Sequence, residues 1–550
     1  MSITYDAYIP TIADRSEWTL SHILALRATS HRDSIYLDVP DAGLRYTFGE
    51  INEIATAVGS GLLTRGHAAG DRIAIMLPNR AEYIFGWLGT GVAGMAEVPI
   101  NTAYRGSFFE HQIRTVAPTG AIVSDSFAER LVESSEACSS IRNVYVVSDD
   151  AEQQGATIRM LTGAGYTVEP FSALLASQPV KLPKVEARDL ASVFFTSGTT
   201  GLSKGVTMTH AHMIFEADEC ISLTRLSDAD TYLSVGPLFH GNAQFLAAYP
   251  ALLAGARFVL RERFSASRWS RWIRESEATV TNFVGVMMDF VWKQPPAPDD
   301  AKNRLRCVFA APTASSIVDA FKDRFGIETF VEVFGLTETS MPIMTPYDEK
   351  RPAGAVGKAV REWFSVRLVD PETDEEVPDG TVGELVVRPS FPFTMTVGYF
   401  GMPERTAEAL RNCWFHTGDG LRRDGDGWFY FVDRMKDAIR RRGENISSYE
   451  VEQALLQHPE IAECAVVAVP ADQEAGEDEV MAFIVRTPSS FMGPEELWRF
   501  CDRRLPYFAV PRFLRFLDGL PRTPSEKVQK AALRTAGVDS ETFDRNSVLE

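Results

Sequence analysis

Short apolar runs alternate with amphipathic, helix-like stretches through roughly the first 430 residues of the chain. Short apolar runs separated by helical periodicity are typical of parallel strands whose connecting helices cover both faces of the sheet. The pattern therefore predicts an α/β fold, in which a large N-terminal domain contains layered parallel sheets with helices. The runs that support this prediction are residues 72–77, 121–123, 231–235, 257–260 and 307–310.

The pattern changes from about residue 356, where hairpin-like strands replace the alternation of strands and helices. Residues 365–369 and 383–387 read as two strands, and the Pro-Asp-Gly sequence at 378–380 between them is a turn signal. Hairpins of this kind indicate antiparallel pairing. We therefore expect a small barrel-like subdomain that closes the large domain.

The segment that follows Asp433 reads as a separate, small α+β domain. It contains a predicted helix at residues 448–457 and predicted strands at residues 465–469 and 481–485. A chain of 550 residues is too long for one hydrophobic core. We therefore predict two domains, residues 1–432 and residues 433–550.

Composition and charge narrow the classes of function. The 55 basic and 74 acidic residues leave a net charge of −19, which argues against a nucleic-acid-binding surface. The six cysteines show no CxxC spacing, which argues against zinc and against a disulfide framework and favours the cytoplasm. The longest uncharged run, between Glu82 and Glu97, is too short for a transmembrane segment and reads as a buried helix.

The segment at residues 196–205 has the composition of a phosphate-binding loop. It combines hydroxyl side chains, glycines and Lys204, and it follows the apolar run 191–195. Glycines let backbone N–H groups approach an anion, and a lysine adds a positive charge. The spacing differs from GxxxxGK[ST], and the alternative interpretation is a surface turn rich in Ser, Thr and Gly.

Four further segments contain side chains suited to nucleotide chemistry: residues 332–339, 414–419, 433–445 and 521–527. Together with the loop and in this order, they resemble the adenylate-forming (AMP-binding) superfamily. That superfamily includes acyl-CoA synthetases, coumarate-type ligases, firefly luciferase and peptide-synthetase adenylation domains. The resemblance runs from about residue 20 to residue 535. Between Tyr399 and Glu450 the chain resembles bacterial acyl-CoA and carnitine-CoA ligases most, and as a whole it resembles the fatty-acyl, coumarate-type and carnitine-CoA ligases of bacteria.

The resemblance implies an ATP site that is assembled from several of these segments. Thr337 would bind the α-phosphate and Glu338 would bind Mg²⁺, a hard cation suited to carboxylates. Phe334 and the Glu332 region would contact adenine, Asp419 would accept from the ribose hydroxyls, and Arg434 would contact ribose or phosphate. The β- and γ-phosphates would be bound by the loop residues Thr196, Ser197, Gly198, Thr199, Thr200, Gly201 and Lys204.

The resemblance also implies the catalytic residues. Lys527 is the candidate catalytic lysine, although Glu526 precedes it where many relatives have glycine. His240 matches the aromatic-histidine segment that gates or lines the acyl tunnel in the family. Arg442 and Gly443, in an arginine-rich segment that includes Arg441, would contact coenzyme A. The small domain would rotate between half-reactions about a hinge near Lys436.

The activity implied is that of an ATP-dependent carboxylate–CoA ligase, an acid–thiol ligase. A carboxylic acid and ATP would form acyl-AMP and pyrophosphate, and coenzyme A would then form acyl-CoA and AMP. The acyl pocket is expected among residues 239–245, 284–288, 310–312 and 339–343, whose apolar character favours a substrate with an apolar body. The expected partners are a small carboxylic acid, ATP, Mg²⁺ and CoA, with a homodimer left open as the assembly.

Two alternatives remain beside the CoA ligase. An acyl-AMP ligase would keep the adenylation step but load the phosphopantetheine arm of a separate carrier protein. A non-catalytic nucleotide-binding regulator would keep only the fold. Lys527, Glu338 and Asp419 are all present, which favours an active enzyme over the regulator.

Overall fold

The structure is a computed structural model. It describes residues 10–196, 203–284, 287–311, 317–434, 439–441, 444–446, 448–470, 478–488, 490–505, 507, 509–523 and 527–548. The side chains of Ser107, Val284, Arg434, Arg440, Glu444, Asn445, Glu450 and Val548 are also outside the description.

Within the described residues, the strands form three seven-stranded sheets, a four-stranded sheet and a two-stranded hairpin. In chain order they are β1 (Ile35–Val39), β2 (Leu44–Thr47), β3 (Arg72–Met76), β4 (Ala96–Pro99), β5 (Gly120–Ser124), β6 (Asn143–Val147), β7 (Thr167–Pro170), β8 (Leu190–Thr196), β9 (Lys204–Thr209), β10 (Thr231–Ser234), β11 (Arg257–Leu260), β12 (Val280–Val284), β13 (Cys307–Ala311), β14 (Thr329–Val331), β15 (Val333–Leu336), β16 (Ser340–Met344), β17 (Ala355–Ala359), β18 (Phe364–Val369), β19 (Val382–Pro389), β20 (Phe415–Arg423), β21 (Trp428–Arg434), β22 (Ile439–Arg441), β23 (Glu444–Ile446), β24 (Ile461–Pro470), β25 (Asp478–Arg486), β26 (Phe513–Leu517) and β27 (Phe543–Asp544).

The helices lie mainly between the strands of the parallel sheets. They are α1 (Leu20–Ser30), α2 (Phe48–Thr64), α3 (Ala81–Val92), α4 (Gly106–Val116), α5 (Asp125–Glu133), α6 (Ala151–Gly163), α7 (Ser172–Leu175), α8 (His210–Thr224), α9 (Gly241–Ala243), α10 (Tyr249–Ala254), α11 (Ala266–Glu275), α12 (Met287–Trp292), α13 (Val318–Phe325), α14 (Pro403–Ala409), α15 (Ser448–Leu455), α16 (Pro494–Asp502), α17 (Lys530–Ala536) and α18 (Arg545–Val548), with 3₁₀ turns at Arg15–Glu17 and Arg411–Cys413 and a π-helical turn at Gln244–Ala248.

Two of the seven-stranded sheets are mostly parallel and share a layer of helices. Their strand orders are β14-β13-β12-β10-β11-β1-β2 and β7-β6-β5-β3-β4-β8-β9. Successive side chains of one strand enter different cores. Ile73 and Tyr232 pack in the shared core with α1, α2, α3, α8 and α10, whereas Ala74 packs with α4–α6 and Leu233 packs with α11–α13. The predicted α/β fold with layered parallel sheets is confirmed.

Helices α2 and α3 approach each other closely in the shared core. A Cβ at Gly59 would lie 2.8 Å from the carbonyl oxygen of Gly89, so a side chain there would force the helices apart. Every residue of helix α3 except Glu82 is buried, as expected for a helix without a polar face. The buried helix predicted between Glu82 and Glu97 is confirmed.

The third seven-stranded sheet is antiparallel and has the order β15-β16-β17-β21-β20-β19-β18. It contains the predicted hairpin, as β18 paired with β19. The sheet begins at Val333 rather than near residue 356, because β15 and β16 already form a hairpin. One of the nucleotide-binding segments predicted from sequence therefore lies on this hairpin.

The chain after β21 has hydrophobic cores of its own. Helices α15 and α16 cover one face of the β24–β27 sheet, and Leu533 of α17 packs on the other face. This unit contains the predicted helix at residues 448–457 and the two predicted strands. The boundary between residues 432 and 433 stays a prediction, and β21 itself continues to Arg434. In the part of the chain that is described, no helix is both long and apolar enough to cross a membrane.

Candidate active site

The predicted phosphate loop connects the last two strands of the second sheet. β8 ends at Thr196 and β9 begins at Lys204, and these two residues face each other as an antiparallel pair. A Cβ at Gly205 would lie 2.9 Å from Cγ1 of Val193, so a glycine lets the strands approach. The pairing holds both ends of the loop together. The predicted loop residues Ser197, Gly198, Thr199, Thr200 and Gly201 lie outside the described residues.

Lys204 is linked to Glu338 through the hydroxyl group of Tyr399. Lys204 Nζ donates to the Tyr399 hydroxyl at 2.9 Å, and that hydroxyl donates to Oε1 of Glu338 at 3.0 Å. The ammonium also lies 4.2 Å from the centre of the Tyr399 ring. Burial and the Glu338 carboxylate raise the pKa of Tyr399 far above its usual value, so the hydroxyl keeps its proton. The structure therefore brings together two predicted site residues through a third that the sequence motifs did not indicate.

Tyr399 is held in place by backbone hydrogen bonds to strand β9. The N–H of Thr207 donates to the carbonyl of Gly398 at 3.1 Å, and the N–H of Phe400 donates to the carbonyl of Gly205 at 2.8 Å. Gly398 has a φ of +130°, which only glycine adopts readily. That glycine is the one local signal in the sequence that could have pointed to Tyr399.

The segment with Thr337 and Glu338 is the turn between β15 and β16. Ser340 closes this turn with a φ of +56°, and a side chain at Gly335 would collide with the carbonyl oxygen of Ser340. The N–H of Thr396 donates to the carbonyl of Glu338 at 2.9 Å. The Glu338 side chain is buried, whereas Thr337 is half-buried. The turn therefore presents a fixed carboxylate beside a more accessible hydroxyl group.

The predicted adenine contacts lie on and next to β15. Glu332 is buried, and its Oε2 lies 2.5 Å from Nη1 of Arg351, a partner that no motif indicated. The ring of Phe334 stacks on that of Phe431 at 6.1 Å between centroids, and Phe431 meets Tyr449 edge-on at 5.7 Å. An aromatic row thus runs from the predicted adenine site to the start of helix α15.

Asp419 lies on β20 at a tightly held turn. Its N–H donates to Oγ1 of Thr417 at 3.1 Å, and the N–H of Gly418 donates to Oε1 of Glu384 at 2.9 Å. Asp419 is 2% exposed and is paired across the sheet with Arg434, whose side chain lies outside the description. Glu384, which was not predicted, is the residue that fixes this turn.

Lys527 of the C-terminal unit acts electrostatically on His240 of the large domain. Burial and the ammonium of Lys527 lower the pKa of His240 to about 4, so the imidazole is neutral at pH 7. The His240 ring meets Phe239 edge-on at 4.8 Å. Lys527 sits on a hairpin in which its N–H donates to Oγ1 of Thr523 at 3.1 Å. Glu526, the departure from the family pattern, lies outside the described residues.

The segment predicted to contact coenzyme A is only partly described. Arg442 and Gly443 lie outside the described residues. Nε of Arg441 lies 2.7 Å from Oε2 of Glu479, and the Glu479 side chain is 6% exposed. Arg441 is thus engaged in an ion pair inside the C-terminal unit.

The predicted acyl pocket borders a buried acidic face of helix α8. The N–H of Met341 donates to Oε2 of Glu219 at 3.2 Å. Burial raises the pKa of Glu219 well above its usual value and that of Glu216 to about 8. Phe245 packs edge-on against Phe194 at 4.9 Å, which gives this region its aromatic character.

A resident metal centre is not built from the described residues. Over the described ranges, no group of three or more His, Cys, Asp and Glu side chains could hold a metal ion. Glu338 is a single buried carboxylate, linked to Lys204 through Tyr399. Such a site suits a Mg²⁺ ion that is bound together with the substrate phosphates, as Mg²⁺ commonly is.

Comparisons with known proteins identify the family to which the chain is similar. A model of the AMP-binding enzyme family matches residues 24–400, and a model of the AMP-binding enzyme C-terminal domain matches residues 450–527. The crotonobetaine/carnitine–CoA ligase of Salmonella paratyphi C is 33% identical over 500 residues, which is 89% of this chain and 93% of that protein. The protein of the same name from Escherichia coli is 32% identical over 507 residues, with the same shares covered.

Solved structures share the fold along nearly the whole chain. ATP-bound MatB from Rhodopseudomonas palustris has a TM-score of 0.79 at 25% identity, covering 94% of this chain and 98% of that chain. The anthranilate CoA ligase AuaEII in complex with anthranoyl-AMP has a TM-score of 0.81 at 23% identity, covering 94% and 97%. With family models matching both the large domain and the C-terminal unit, this chain belongs to the AMP-binding enzyme family.

Proposed function

We propose that this chain is an ATP-dependent carboxylate–CoA ligase. The observation that carries the proposal is the link between Lys204 and Glu338 through the Tyr399 hydroxyl. It joins a cation suited to phosphate oxygens to a carboxylate suited to Mg²⁺. Activation of a carboxylate by ATP needs this combination because both reactants are anions.

In the first half-reaction, a carboxylate oxygen of the substrate attacks the α-phosphorus of ATP. The bond from that phosphorus to the pyrophosphate oxygen breaks, and the products are acyl-AMP and pyrophosphate. Lys204 and the 196–201 loop would hold the β- and γ-phosphates, and Thr337 would hydrogen-bond the α-phosphate. Lys527 would place its ammonium between the α-phosphate and the attacking carboxylate, where it offsets their repulsion and aligns them.

The nucleoside would be held by residues around β15, β20 and β21. Phe334 and the backbone near Glu332 would border adenine. Asp419 has two carboxylate oxygens and can accept from both ribose hydroxyls. Arg434 would contact ribose or phosphate. Glu338 would bind Mg²⁺, which supplies charge neutralisation at the pyrophosphate leaving group.

In the second half-reaction, the thiol of coenzyme A attacks the carbonyl carbon of the acyl-adenylate, and AMP leaves. Rotation of the C-terminal unit near Lys436 would withdraw Lys527 and bring Arg442 and Gly443 towards the coenzyme. His240 is neutral at pH 7 and lies on the same short segment as the apolar residues predicted for the acyl tunnel. An uncharged side chain there suits the passage of an acyl or pantetheine chain.

The carboxylic acid that this chain activates can be identified by screening a panel of candidate acids. The apolar character of the predicted pocket favours acids with an apolar body, fatty or aryl. Relatives named as crotonobetaine/carnitine–CoA ligases add betaine acids to the panel. Purified protein would be incubated with Mg²⁺–ATP, coenzyme A and each acid, with AMP and thioester measured. Acid-dependent AMP with an equal amount of thioester is expected. Formation of acyl-AMP from several acids, with no effect of coenzyme A on any, would contradict the proposal.

The alternative acceptor, a separate carrier protein, is tested in the same assay. A phosphopantetheinylated carrier protein would compete with coenzyme A for the acyl group, and we expect coenzyme A to be used in preference. We also propose a cytoplasmic location, where both ATP and coenzyme A are available. A homodimer stays an expectation that light scattering would test.

A further inference from the structure

A polar network joins the large antiparallel sheet to the C-terminal unit. Asp433 is the last but one residue of β21, and it is buried. Its Oδ2 accepts from the N–H of Ser448 at 2.7 Å and from the Ser448 hydroxyl at 2.5 Å. Ser448 is the first residue of helix α15. The Asp433 carboxylate therefore binds the positive N-terminal end of a helix that belongs to the other unit.

The network continues from Ser448 to helix α17. Nζ of Lys530 lies 2.6 Å from the Ser448 hydroxyl oxygen and 2.8 Å from Oε1 of Glu452. Oε1 of Glu452 also accepts from the N–H of Val466 on β24. A single chain of contacts thus runs from β21 through α15 to α17 and the C-terminal sheet.

Lys530 stands three residues after Lys527 and begins α17. Between Lys527 and Lys530 the chain is tied to the hairpin base, because the N–H of Gln529 donates to the carbonyl of Pro521 at 2.8 Å. A displacement of Lys530 is therefore passed on to Lys527 over a short and constrained segment. On the other side of the interface, Tyr449 packs edge-on against Phe431.

We propose that Asp433 is a positioning residue for Lys527, which it holds at the adenylation site through Ser448 and Lys530. This inference rests on the proposed function, in which Lys527 serves the first half-reaction. The carboxylate acts on the α15 end of the C-terminal unit and touches neither substrate nor the reacting atoms. Its loss lowers the fraction of molecules in which Lys527 lies beside His240.

The first test separates the two half-reactions. Asp433→Ala is expected to lower acid-dependent ATP–pyrophosphate exchange about tenfold, as for loss of a charge-assisted hydrogen bond. Thioester formation from supplied acyl-AMP should change by less than about twofold. Asp433→Asn keeps one acceptor and should recover part of the loss. An equal fall in both half-reactions, or no fall in either, would overturn the proposal.

Ser448→Ala provides a second variant in case Asp433→Ala does not fold. It removes the hydroxyl group that joins Asp433 to Lys530 but keeps the helix N–H. We expect a smaller loss of exchange, and no additional loss in the double variant, because both changes break one path. The control is Asp502→Asn, which removes a pair with Arg545 at 2.7 Å inside the C-terminal unit. It should leave both half-reactions unchanged, and additive losses in the double variant would contradict the path.

The second test needs no catalysis. The pKa of His240 would be measured by NMR on protein labelled with ¹³C-histidine, with the signal assigned through His240→Asn. In Asp433→Ala the pKa should rise only slightly above about 4, because the Lys527 ammonium is less often near, whereas burial, the larger cause of the lowered pKa, remains. An unchanged pKa in a folded variant would overturn the positioning role. If the wild type showed no exchange with any acid, the proposed function would fail, while this titration would still decide the role of Asp433.

Discussion

The hydroxyl group of Tyr399 lies 3.0 Å from Oε1 of Glu338 and donates a hydrogen bond to it. The Tyr399 hydroxyl oxygen in turn accepts a hydrogen bond from Nζ of Lys204 at 2.9 Å. One buried hydroxyl therefore sets the distance between the lysine of the predicted phosphate loop and the carboxylate predicted to bind Mg²⁺.

Tyr399→Phe should lower kcat/KM for ATP in the adenylation half-reaction by about tenfold to a hundredfold. A hydrogen bond to a charged group contributes about 1.5–3 kcal/mol, and about 1.4 kcal/mol corresponds to a factor of ten in rate. The ring remains, so Lys204 keeps its contact with the aromatic face. Tyr430→Phe is the matched control, because its hydroxyl donates to Asp424 at 2.9 Å on a surface hairpin. Equal kinetics for wild type and Tyr399→Phe would refute this role.

Lys527→Ala should reduce the rate of adenylation by at least about a hundredfold. Removal of one hydrogen-bond donor that stabilises charge in a transition state lowers enzymatic rates by about this factor. Thioester formation from supplied acyl-AMP should be spared, since that step does not require the ammonium. Pyrophosphate exchange and single-turnover thioester assays measure the two steps. Lys184→Ala, at a side chain that is 87% exposed, is the control. Intact exchange in Lys527→Ala would show that another residue has the catalytic role.

The residues predicted from sequence are those that stand in recognisable segments. Glycines stand close to Lys204, Glu338 and Asp419 in the sequence, and two prolines precede Lys527. The structure links Lys204 and Glu338 by hydrogen bonds through Tyr399. Tyr399 could not be predicted in the same way. Its partners are distant in sequence, and a tyrosine after a glycine is common in turns that have no such role.

In the fold, too, elements defined by their own sequence could be predicted, whereas contacts between distant segments could not. Five of the parallel strands, β3, β5, β10, β11 and β13, were predictable because each is a short apolar run, which burial on both faces requires. The hairpin of β15 and β16 was not, since Pro342 lies within β16 and a proline usually argues against a strand. The contact between Asp433 and Ser448 also has no local pattern, because it forms only when the two units pack together.

Glu338→Gln should raise the Mg²⁺ concentration needed for half-maximal adenylation by about tenfold or more. The amide retains an oxygen but loses the negative charge that a hard divalent cation prefers. Excess EDTA should abolish adenylation in both proteins. The measurement is the rate of pyrophosphate exchange against free Mg²⁺ at saturating acid. A Mg²⁺ dependence identical to that of the wild type would remove Glu338 from the metal site.

Arg441→Met should destabilise the C-terminal unit, whereas Arg442→Ala should raise the KM for coenzyme A. Removal of Arg441 takes away the nearer cation of the buried Glu479 and leaves Arg512 Nη1 at 3.8 Å, so the loss of stability should stay below the cost of about 3–5 kcal/mol for a buried charge left with no partner. Thermal unfolding and CoA kinetics of the two neighbouring variants provide the comparison. A selective increase in the KM for coenzyme A in a fully stable Arg441→Met would show that its charge faces the coenzyme.

Glu216→Gln should flatten the pH dependence of stability. Burial raises the pKa of Glu216 to about 8 from an ordinary 4.5, so the folded state keeps a proton that the unfolded chain releases. Stability from this group is complete below pH 4.5 and is lost as the pH rises towards 8. Between pH 5 and pH 7 the wild type should lose about 2 kcal/mol relative to the variant. Parallel stability curves for the two proteins in urea would contradict this.

ATP–pyrophosphate exchange measures the central claim most directly, because it reports reversible formation of an acyl-adenylate and needs no coenzyme A. The protein with Mg²⁺–ATP and labelled pyrophosphate should return label to ATP only when an acid from the panel that supports thioester formation is present. Exchange should fall to background in Lys527→Ala. Thioester formation without any acid-dependent exchange, or exchange of the same rate without acid, would contradict activation of the carboxylate as a mixed anhydride with AMP.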